Sequence, residues 1–241
     1  MSQKFPVLVI HGFTSSLDCI KKPAQLLEEA GFPVLTPILR GHGTQYQDLV
    51  GVKAQDWFDD AKNAFLDLNE RYATKIAVVG HSMGGVVALD LAIQFPDRIR
   101  VVIGAAPALE FCNPLAPFSG FLAWLIPTFP SPNAFVDQEL RRKLNTNYPR
   151  FPSATFAELF RYAREVKRRL PQLTVPVHLM HSLKDTVVPP SASRRVLEYA
   201  SSSHKSVTWY SRCGHEMFLD IESDVVAAEV RDFLLKFDAE T

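Results

Sequence analysis

The sequence predicts an α/β fold in which helices cover both faces of a mostly parallel β-sheet. Short runs rich in valine, isoleucine and leucine alternate along the chain with amphipathic helical patterns. Most of these runs are continuously apolar, which is typical of strands that are buried on both faces. The expected strands cover residues 5–10, 34–38, 75–79, 99–103, 175–180 and 206–210.

Amphipathic patterns between these strands predict the helices. In the second pattern, Trp57, Ala61, Phe65 and Leu68 recur at intervals of three or four residues, so they share one face of a helix. We expect that face to pack on the sheet. The expected helices cover residues 23–30, 54–72, 83–94, 191–200 and 222–237.

The composition is that of one globular domain, or of one domain that carries an insertion. Of the 241 residues, 47% are hydrophobic and 22% charged, which excludes extended disorder and fibrous repeats. The 26 basic and 26 acidic residues give a formal net charge of zero. This balance argues against a nucleic-acid partner, because binding to phosphates usually relies on an excess of positive charge.

The cysteines and the apolar segments predict a cytoplasmic protein. Three widely spaced cysteines without a CxxC pair indicate neither a disulfide framework nor a cage of thiolate metal ligands. The first apolar run, residues 5–10, is too short for the apolar region of a signal peptide. The charge-free stretch 111–136 is interrupted by prolines, so we expect no integral membrane segment.

The alternation of strands and helices is interrupted between residues 108 and 172. Residues 104–136 contain one charged residue, Glu110, among many large apolar side chains, whereas residues 141–170 have a local net charge of +7. The sequence therefore predicts an insertion that lies over the ends of the strands and divides the core into two parts. The basic part is expected to be a solvated helix face.

A G-x-S-x-G motif at residues 80–84 is the strongest functional signal. It follows the strand 75–79 and opens the helix 83–94, and a sharp turn in that position exposes the serine at the end of the sheet. Such a turn strains the backbone of its central residue, Ser82, and the flanking glycines relieve the crowding around it. We expect Ser82 to be a nucleophile and Gly85 to allow close packing of the helix.

A serine nucleophile needs a base that is held in place by an acid. Where this turn carries the nucleophile, the acid and then the base follow it along the chain. His215 follows the strand 206–210, and Asp185 is the only aspartate just beyond the strand 175–180. The sequence thus predicts Ser82, Asp185 and His215 as a catalytic triad, with Glu110 as the alternative acid.

The turn after the first strand supplies the remaining part of an acyl-transfer site. Acyl transfer places negative charge on the former carbonyl oxygen, and two preset N–H groups can stabilise that charge. We expect the backbone N–H groups of Phe13 and Met83 to form this oxyanion hole. His11 and His42, which lie in glycine-rich turns at the same edge, are expected to have structural roles.

Several motifs together resemble the α/β-hydrolase family, and more narrowly its small bacterial carboxylesterases and monoacylglycerol lipase-like members. The motifs are HGF at 11–13, RGHG at 40–43, GHSMGG at 80–85, HSLKD at 181–185 and GHEMFLD at 214–220. The resemblance implies the α/β-hydrolase fold, with a core formed by residues 1–107 and 173–241. It also implies a small cap, residues 108–172, after the sixth strand of the family's sheet, and the triad and oxyanion hole already named. The chain differs at its start, which lies close to the third strand of the family's usual sheet.

These features predict a serine hydrolase that cleaves carboxylic esters of short or medium acyl chains through an acyl-enzyme on Ser82. The partner is then a small-molecule ester, and no metal or organic cofactor is expected. The apolar part of the cap predicts an acyl pocket lined by Phe13, Phe121 and Trp124. The alternatives are a thioesterase, a C–C bond hydrolase or an acyltransferase with the same triad, and a ligand receptor without turnover.

Overall fold

The structure is a computed structural model that describes residues 4–239. Its strands in chain order are β1 (Val7–Ile10), β2 (Val34–Leu35), β3 (Ile76–His81), β4 (Ile99–Ala105), β5 (Thr128–Pro130), β6 (Arg150–Pro152), β7 (Val177–Ser182) and β8 (Lys205–Tyr210). Within the described range, six of them form a parallel sheet in the order β2-β1-β3-β4-β7-β8, and β5 and β6 form a separate antiparallel pair.

The strand order places a topological switch point between β1 and β3. The chain leaves β1 toward β2 on one side and then crosses back to β3 on the other side. Because the connections after β1 and β3 run in opposite directions, a crevice opens at the carboxyl ends of these two strands. In open α/β sheets this crevice is where ligands bind.

The helices in chain order cover both faces of the sheet or belong to the insertion. They are α1 (Asp18–Glu29), α2 (Ala54–Tyr72), α3 (Met83–Gln94), α4 (Ser119–Leu122), α5 (Gln138–Leu144), α6 (Ser153–Arg169), α7 (Ser191–Tyr199) and α8 (Ser223–Ala239). The predicted α/β class, with a mostly parallel sheet and helices on both faces, is confirmed.

Two apolar clusters, one on each face of the sheet, form the core. In β1, the side chains of Leu8 and Ile10 join one cluster and those of Val7 and Val9 join the other, because successive strand residues point to opposite faces. The helices contribute Trp57 and Phe65 of α2, Val86 and Leu89 of α3, Ile20 and Leu27 of α1, and Val226 and Val230 of α8. All of these side chains are buried. Because helices cover the strands on both faces, the strand sequences are unbroken apolar runs.

Two elements, β2 and α1, differ most in length from the sequence-based expectation. The strand β2 has only two residues, because it lies at the edge of the sheet and Pro37 follows it, a residue without an N–H group for a ladder. Helix α1 begins at Asp18 rather than at residue 23, and Pro23 lies inside it. Burial of Cys19 and Ile20 on the sheet favours the earlier start.

The segment between β4 and β7 lies outside the main sheet and is anchored to it through Asp90 of α3. Tyr162 of α6 donates a hydrogen bond to Oδ2 of Asp90 at 2.9 Å, and Nη1 of Arg169 lies 2.8 Å from Oδ1. A buried carboxylate requires such partners. The exact limits 108–172 of a cap stay a prediction, although the segment contains β5, β6 and α4 to α6.

Many cations of the basic segment are paired with carboxylates rather than free. The ion pairs that involve residues of this segment are Lys143 with Glu139, Arg161 and Lys53 with Glu158, Lys167 with Glu110, and Arg169 with Asp90.

None of the helices between residues 4 and 239 combines the length and apolar character that a bilayer crossing requires.

Candidate active site

Ser82 lies in the sharp turn between β3 and α3. Its backbone has φ 54° and ψ −115°, a left-handed region that is unfavourable for a residue with a side chain. The flanking glycines are required by close backbone contacts: a Cβ on Gly80 would lie 2.1 Å from the oxygen of Gly84, and one on Gly84 would lie 2.3 Å from that of Ile10. The backbone strain predicted at Ser82 is confirmed.

Three side chains that are distant in sequence meet at this turn. Nε2 of His215 lies 2.8 Å from Oγ of Ser82, and Nδ1 of His215 lies 2.6 Å from Oδ2 of Asp185. Asp185 follows β7 and His215 follows β8, so each residue lies just beyond the carboxyl end of a strand. All three are buried, with at most 8% of their surface exposed.

Hydrogen bonds determine how the three side chains are oriented and which of their atoms carry a proton. A carboxylate can only accept, so Nδ1 of His215 carries the proton that is donated to Asp185, and Nε2 is free to accept the hydroxyl proton of Ser82. The other oxygen of Asp185, Oδ1, accepts from the N–H groups of Val187 and Val188 at 2.8 and 2.9 Å. The carboxylate is thereby held with one oxygen aimed at the imidazole.

The electrostatics of the pair favour an ionised acid and a basic imidazole. Burial raises the pKa of Asp185, but the charge of His215 and hydrogen bonds from His181, His215 and Val188 outweigh it and hold that pKa well below the usual range. Burial lowers the pKa of His215, whereas the charge of Asp185 and its hydrogen bond raise it, with a net increase. An imidazole with a raised pKa is a stronger general base.

A second histidine, His181 at the end of β7, contacts the same carboxylate. Its Nε2 lies 3.4 Å from Oδ2 of Asp185 and 3.1 Å from the carbonyl oxygen of Val188, and its Nδ1 lies 2.7 Å from Oγ of Ser193. Because the carbonyl can only accept, Nε2 carries the proton and Nδ1 accepts from Ser193. His181 was not predicted as part of the site, although the motif HSLKD contains it.

The alternative acid, Glu110, belongs to a different cluster, and that alternative is wrong. Its Oε2 accepts from Oγ of Ser191 at 2.6 Å, and its Oε1 lies 3.2 Å from Nζ of Lys167 and 3.5 Å from Nε of Arg195. These contacts hold Glu110 between α6 and α7. The carboxylate that contacts His215 is that of Asp185.

The turn after β1 places backbone donors beside Ser82. A Cβ on Gly12 would lie 3.3 Å from Cβ of Ser82, so the chain from Gly12 to Phe13 passes directly over the serine. Met83 is the first residue of α3, and N–H groups in the first turn of a helix have no partner within the helix. Among residues 4–239, neither the Phe13 nor the Met83 N–H group donates to a protein acceptor, which supports the proposed oxyanion hole.

His11 and His42 stabilise this turn through hydrogen bonds and ring contacts. Nε2 of His11 accepts from the N–H group of Leu39 at 3.1 Å, and the rings of His11 and His42 are 4.9 Å apart. Nδ1 of His42 lies 3.2 Å from the carbonyl oxygen of Leu39. Burial lowers the pKa of His11 to about 4 and that of His42 to about 3, so both are neutral and hold the loop, as predicted.

A cavity of about 240 Å³ opens beside Ser82 and His215. Phenylalanine rings from the β1 turn and from the insertion dominate its wall: Phe13, Phe111, Phe129, Phe151 and Phe156. Phe13 lies 5.4 Å from Phe151 and 6.4 Å from Phe156, centroid to centroid. A cavity with so many aromatic rings in its wall suits an apolar group.

The predicted pocket residues Phe121 and Trp124 do not line this cavity, and that prediction is wrong. Phe121 is 74% exposed and Trp124 is 85% exposed. Both belong to the charge-free stretch, where apolar character was interpreted as burial over the cleft. Phe121 lies in the short helix α4 and Trp124 just after it, and both are on the outer surface, whereas Phe111 and Phe129 of the same stretch line the cavity. Composition alone cannot distinguish these two orientations.

A serine, a histidine and an aspartate in contact at the strand ends of a doubly wound sheet define the α/β-hydrolase class. The family model described as serine aminopeptidase, S33, matches residues 2–222. The chain belongs to this hydrolase family. The predicted resemblance to the α/β-hydrolases is therefore confirmed.

The most similar sequences include two Bacillus enzymes. A thermostable monoacylglycerol lipase of Bacillus sp. (strain H-257) is 29% identical over 232 residues, which are 95% of this chain and 90% of that protein. A carboxylesterase of Bacillus subtilis (strain 168) is 22% identical over 232 residues, 96% of this chain and 93% of that protein. Both alignments extend across the insertion as well as the core.

Solved structures show the same fold. A structure of the metagenome-derived lipolytic enzymes LipS and LipT superimposes with a TM-score of 0.90 at 26% identity, over 98% of this chain and 95% of the other. A soluble variant of monoglyceride lipase from Saccharomyces cerevisiae superimposes with a TM-score of 0.85 at 18% identity, over 99% and 88% of the two chains. The α/β-hydrolase fold predicted from the motifs is confirmed.

Proposed function

We propose that this hydrolase cleaves carboxylic esters through an acyl-enzyme on Ser82. The observation that carries the proposal is the continuous series of contacts from Oγ of Ser82 to Nε2 of His215 and from Nδ1 of His215 to Asp185. A neutral serine hydroxyl is a poor nucleophile, and this series provides the base that activates it. The relatives named as monoacylglycerol lipase and carboxylesterase support an ester as the substrate.

The proposed reaction has two steps that use the same groups. In acylation, His215 accepts the proton of Ser82 while Oγ attacks the ester carbonyl, and Asp185 stabilises the imidazolium that forms. The N–H groups of Phe13 and Met83 stabilise the negative charge on the carbonyl oxygen. His215 then donates the proton to the leaving alcohol. In deacylation, His215 takes a proton from water, the resulting hydroxyl group attacks the acyl carbon, and Ser82 regains its proton.

The cavity beside Ser82 indicates the kind of acyl group. Five phenylalanine rings line it, and its volume of about 240 Å³ is below the range of roughly 300–1,000 Å³ that is usual for drug-sized ligands. Each methylene group buried there contributes about 0.8 kcal/mol of binding free energy. We therefore propose short or medium acyl chains as the preferred substrates.

A panel of p-nitrophenyl esters from acetate to palmitate tests this proposal. The expected result is saturable hydrolysis by the wild-type protein, with the highest kcat/KM at short or medium chain length. Ser82→Ala, purified in parallel, provides the background rate. Acyl-CoA thioesters assayed alongside test the alternative of a thioesterase. Equal rates for wild-type protein and Ser82→Ala on every ester would overturn the proposal.

A further inference from the structure

Three side chains that the proposed reaction does not use converge directly behind the triad. They are Cys19 in the first turn of α1, His81 just before Ser82, and Glu216 just after His215. One possible ligand atom from each, the thiol sulfur, an imidazole nitrogen and a carboxylate oxygen, lies within 4.8 Å of the other two. All three residues are buried, with 1%, 1% and 4% of their surface exposed.

His81 presents an unpartnered nitrogen in this group. Its Nε2 lies 3.0 Å from the carbonyl oxygen of His215, and because a carbonyl can only accept, Nε2 carries the ring proton. Nδ1 is therefore left with a free lone pair. That atom is buried and has no hydrogen-bond partner among the described residues. An imidazole that donates one N–H to a backbone carbonyl and offers its other nitrogen has the usual arrangement of a metal-ligating histidine.

Glu216 is also held by a hydrogen bond, and it is accessible from the active-site cavity. Its Oε1 accepts a hydrogen bond from Nδ2 of Asn147 at 2.7 Å, which fixes the carboxylate, and the residue forms part of the cavity wall. In the described part of the chain, no hydrogen bond or ion pair joins Glu216, His81 and Cys19 to one another. An unpartnered buried nitrogen beside a thiol and a carboxylate requires an explanation, and a shared bound ion would provide one.

We propose that Cys19, His81 and Glu216 bind a thiophilic divalent cation such as Zn²⁺. A thiolate, a neutral imidazole and a carboxylate are all ligands that zinc accepts, and three protein ligands leave one tetrahedral position for water. When the sulfur–metal bond forms, the thiol proton of Cys19 is released to solvent. The residues lie in three separate segments of the chain, so no spaced sequence motif marks them.

Cation binding at this place opposes hydrolysis. His81 donates to the carbonyl oxygen of His215 at 3.0 Å, and the two rings are 5.1 Å apart, so a metal ion on His81 restrains the backbone that carries the catalytic imidazole. A displacement of the His215 ring relative to Ser82 or Asp185 slows the proton transfer that activates the serine. Glu216 also adjoins His215 in the chain, which couples ligation to the position of the catalytic ring. The bound cation is therefore an inhibitor of the esterase.

Binding is measured first, without substrate, on metal-free protein of the full 241-residue chain. Titration with Co²⁺ should produce thiolate-to-cobalt charge-transfer absorption that saturates at one ion per chain, and Zn²⁺ should displace it. Cys19→Ser should abolish this absorption, whereas Cys112→Ser, which removes an exposed free cysteine outside the cluster, should leave it unchanged. Glu216→Gln, a second variant of nearly the same shape, should weaken Zn²⁺ binding at least about tenfold.

Inhibition is measured next with a p-nitrophenyl ester. Saturating Zn²⁺ should lower kcat/KM of the wild-type protein and of Cys112→Ser about tenfold or more, whereas Cys19→Ser should keep its basal rate and resist inhibition. Absence of a thiolate band, or its loss in Cys112→Ser instead of Cys19→Ser, would overturn the site. Binding without inhibition would overturn the coupling. Because binding needs no substrate, this result is independent of the proposed esterase activity.

Discussion

The Nδ1 atom of His215 lies 2.6 Å from the Oδ2 atom of Asp185, although 30 residues separate them in the chain. The two side chains meet because β7 and β8 are adjacent parallel strands, so the loops that follow them leave the same edge of the sheet. The pair is buried, which strengthens its interaction relative to water. Four of the five predictions below depend on this contact or on the turn that presents Ser82 to it.

Replacement of Asp185 by asparagine should lower kcat on esters by about four orders of magnitude, because the amide no longer fixes the reactive imidazole tautomer or stabilises the imidazolium. The matched control is Glu110→Gln, which makes the same change in a carboxylate that contacts Ser191 and Lys167. We expect its kcat to stay within about twofold of the wild type. Steady-state kinetics on one p-nitrophenyl ester compare the two, and a larger loss in Glu110→Gln would reverse the assignment of the acid.

The pH dependence of kcat/KM should report the ionisation of His215. Its pKa is raised above the usual histidine value of 6.5, since the effect of Asp185 outweighs that of burial. Only the neutral imidazole accepts the proton of Ser82, so activity is absent at low pH and rises as His215 deprotonates. The midpoint of this rise should lie above 6.5, and it should fall in Asp185→Asn. An initial-rate profile in buffers of constant ionic strength measures it; a wild-type midpoint well below 6.5 would exclude this role.

Replacement of Gly80 by alanine should destabilise the protein by about 3 kcal/mol or more, because the new methyl group overlaps a closely packed backbone. Its Cβ would lie 2.1 Å from the oxygen of Gly84, and the resulting shift would also move Ser82. In a chain of this size the loss corresponds to a decrease in Tm of roughly 6–12 °C. Circular dichroism during heating measures it.

Gly120→Ala is the control for this prediction. A Cβ at Gly120 would meet only Cβ of Ala157, at an ordinary 3.8 Å, and alanine favours the helical backbone of α4. Its Tm should be unchanged or slightly higher. A Tm of Gly80→Ala that is as high as that of Gly120→Ala would show that the turn around Ser82 does not depend on the absence of a side chain at Gly80.

Truncation of Phe156 should reduce the preference for longer acyl chains. The ring lines the cavity and packs 5.4 Å from that of Phe151, so its removal takes apolar contact from the bound chain. We expect KM for a medium-chain ester to rise several-fold, up to about tenfold, while KM for the acetate changes little. Trp124→Ala, which removes a larger ring that is 85% exposed, should leave both values unchanged. Chain-length profiles of the two variants test whether Phe156, and not Trp124, lines the acyl pocket.

The positions of the core elements could be predicted because their causes are local. Helix α2 occupies Ala54–Tyr72 and α3 occupies Met83–Gln94, the ranges that their apolar periodicity and the G-x-S-x-G turn had indicated. The end of α1 was also nearly correct. Its start was not, because the helix was expected from residue 23, whereas burial of Cys19 and Ile20 favours a start at Asp18.

The candidate triad could be predicted because parallel strands bring their carboxyl ends to one edge of a sheet. Once Ser82 was placed at the end of β3, the loops after β7 and β8 were the places for its partners. The lining of the cavity could not be predicted in the same way. Phe121 and Trp124 are as apolar as Phe111 and Phe129, and only the fold of the insertion decides which of them face the cavity.

The contacts around His181 and His81 could not be predicted from the sequence either. Each depends on a side chain from a distant segment: Ser193 of α7 bonds to His181, and Cys19 of α1 lies beside His81. Neither relation has a fixed spacing along the chain. Such clusters are determined by the packing of elements, so they become visible only in three dimensions.

Covalent labelling by a serine-directed fluorophosphonate tests most directly whether Ser82 is the nucleophile. The reagent should add once to the wild-type protein, and peptide mapping by mass spectrometry should place the adduct on Ser82, with ester hydrolysis lost in proportion to labelling. Asp185→Asn should react far more slowly, because its imidazole no longer activates the hydroxyl. An adduct on any other residue with full loss of activity, or full activity after complete labelling of Ser82, would contradict the proposed mechanism.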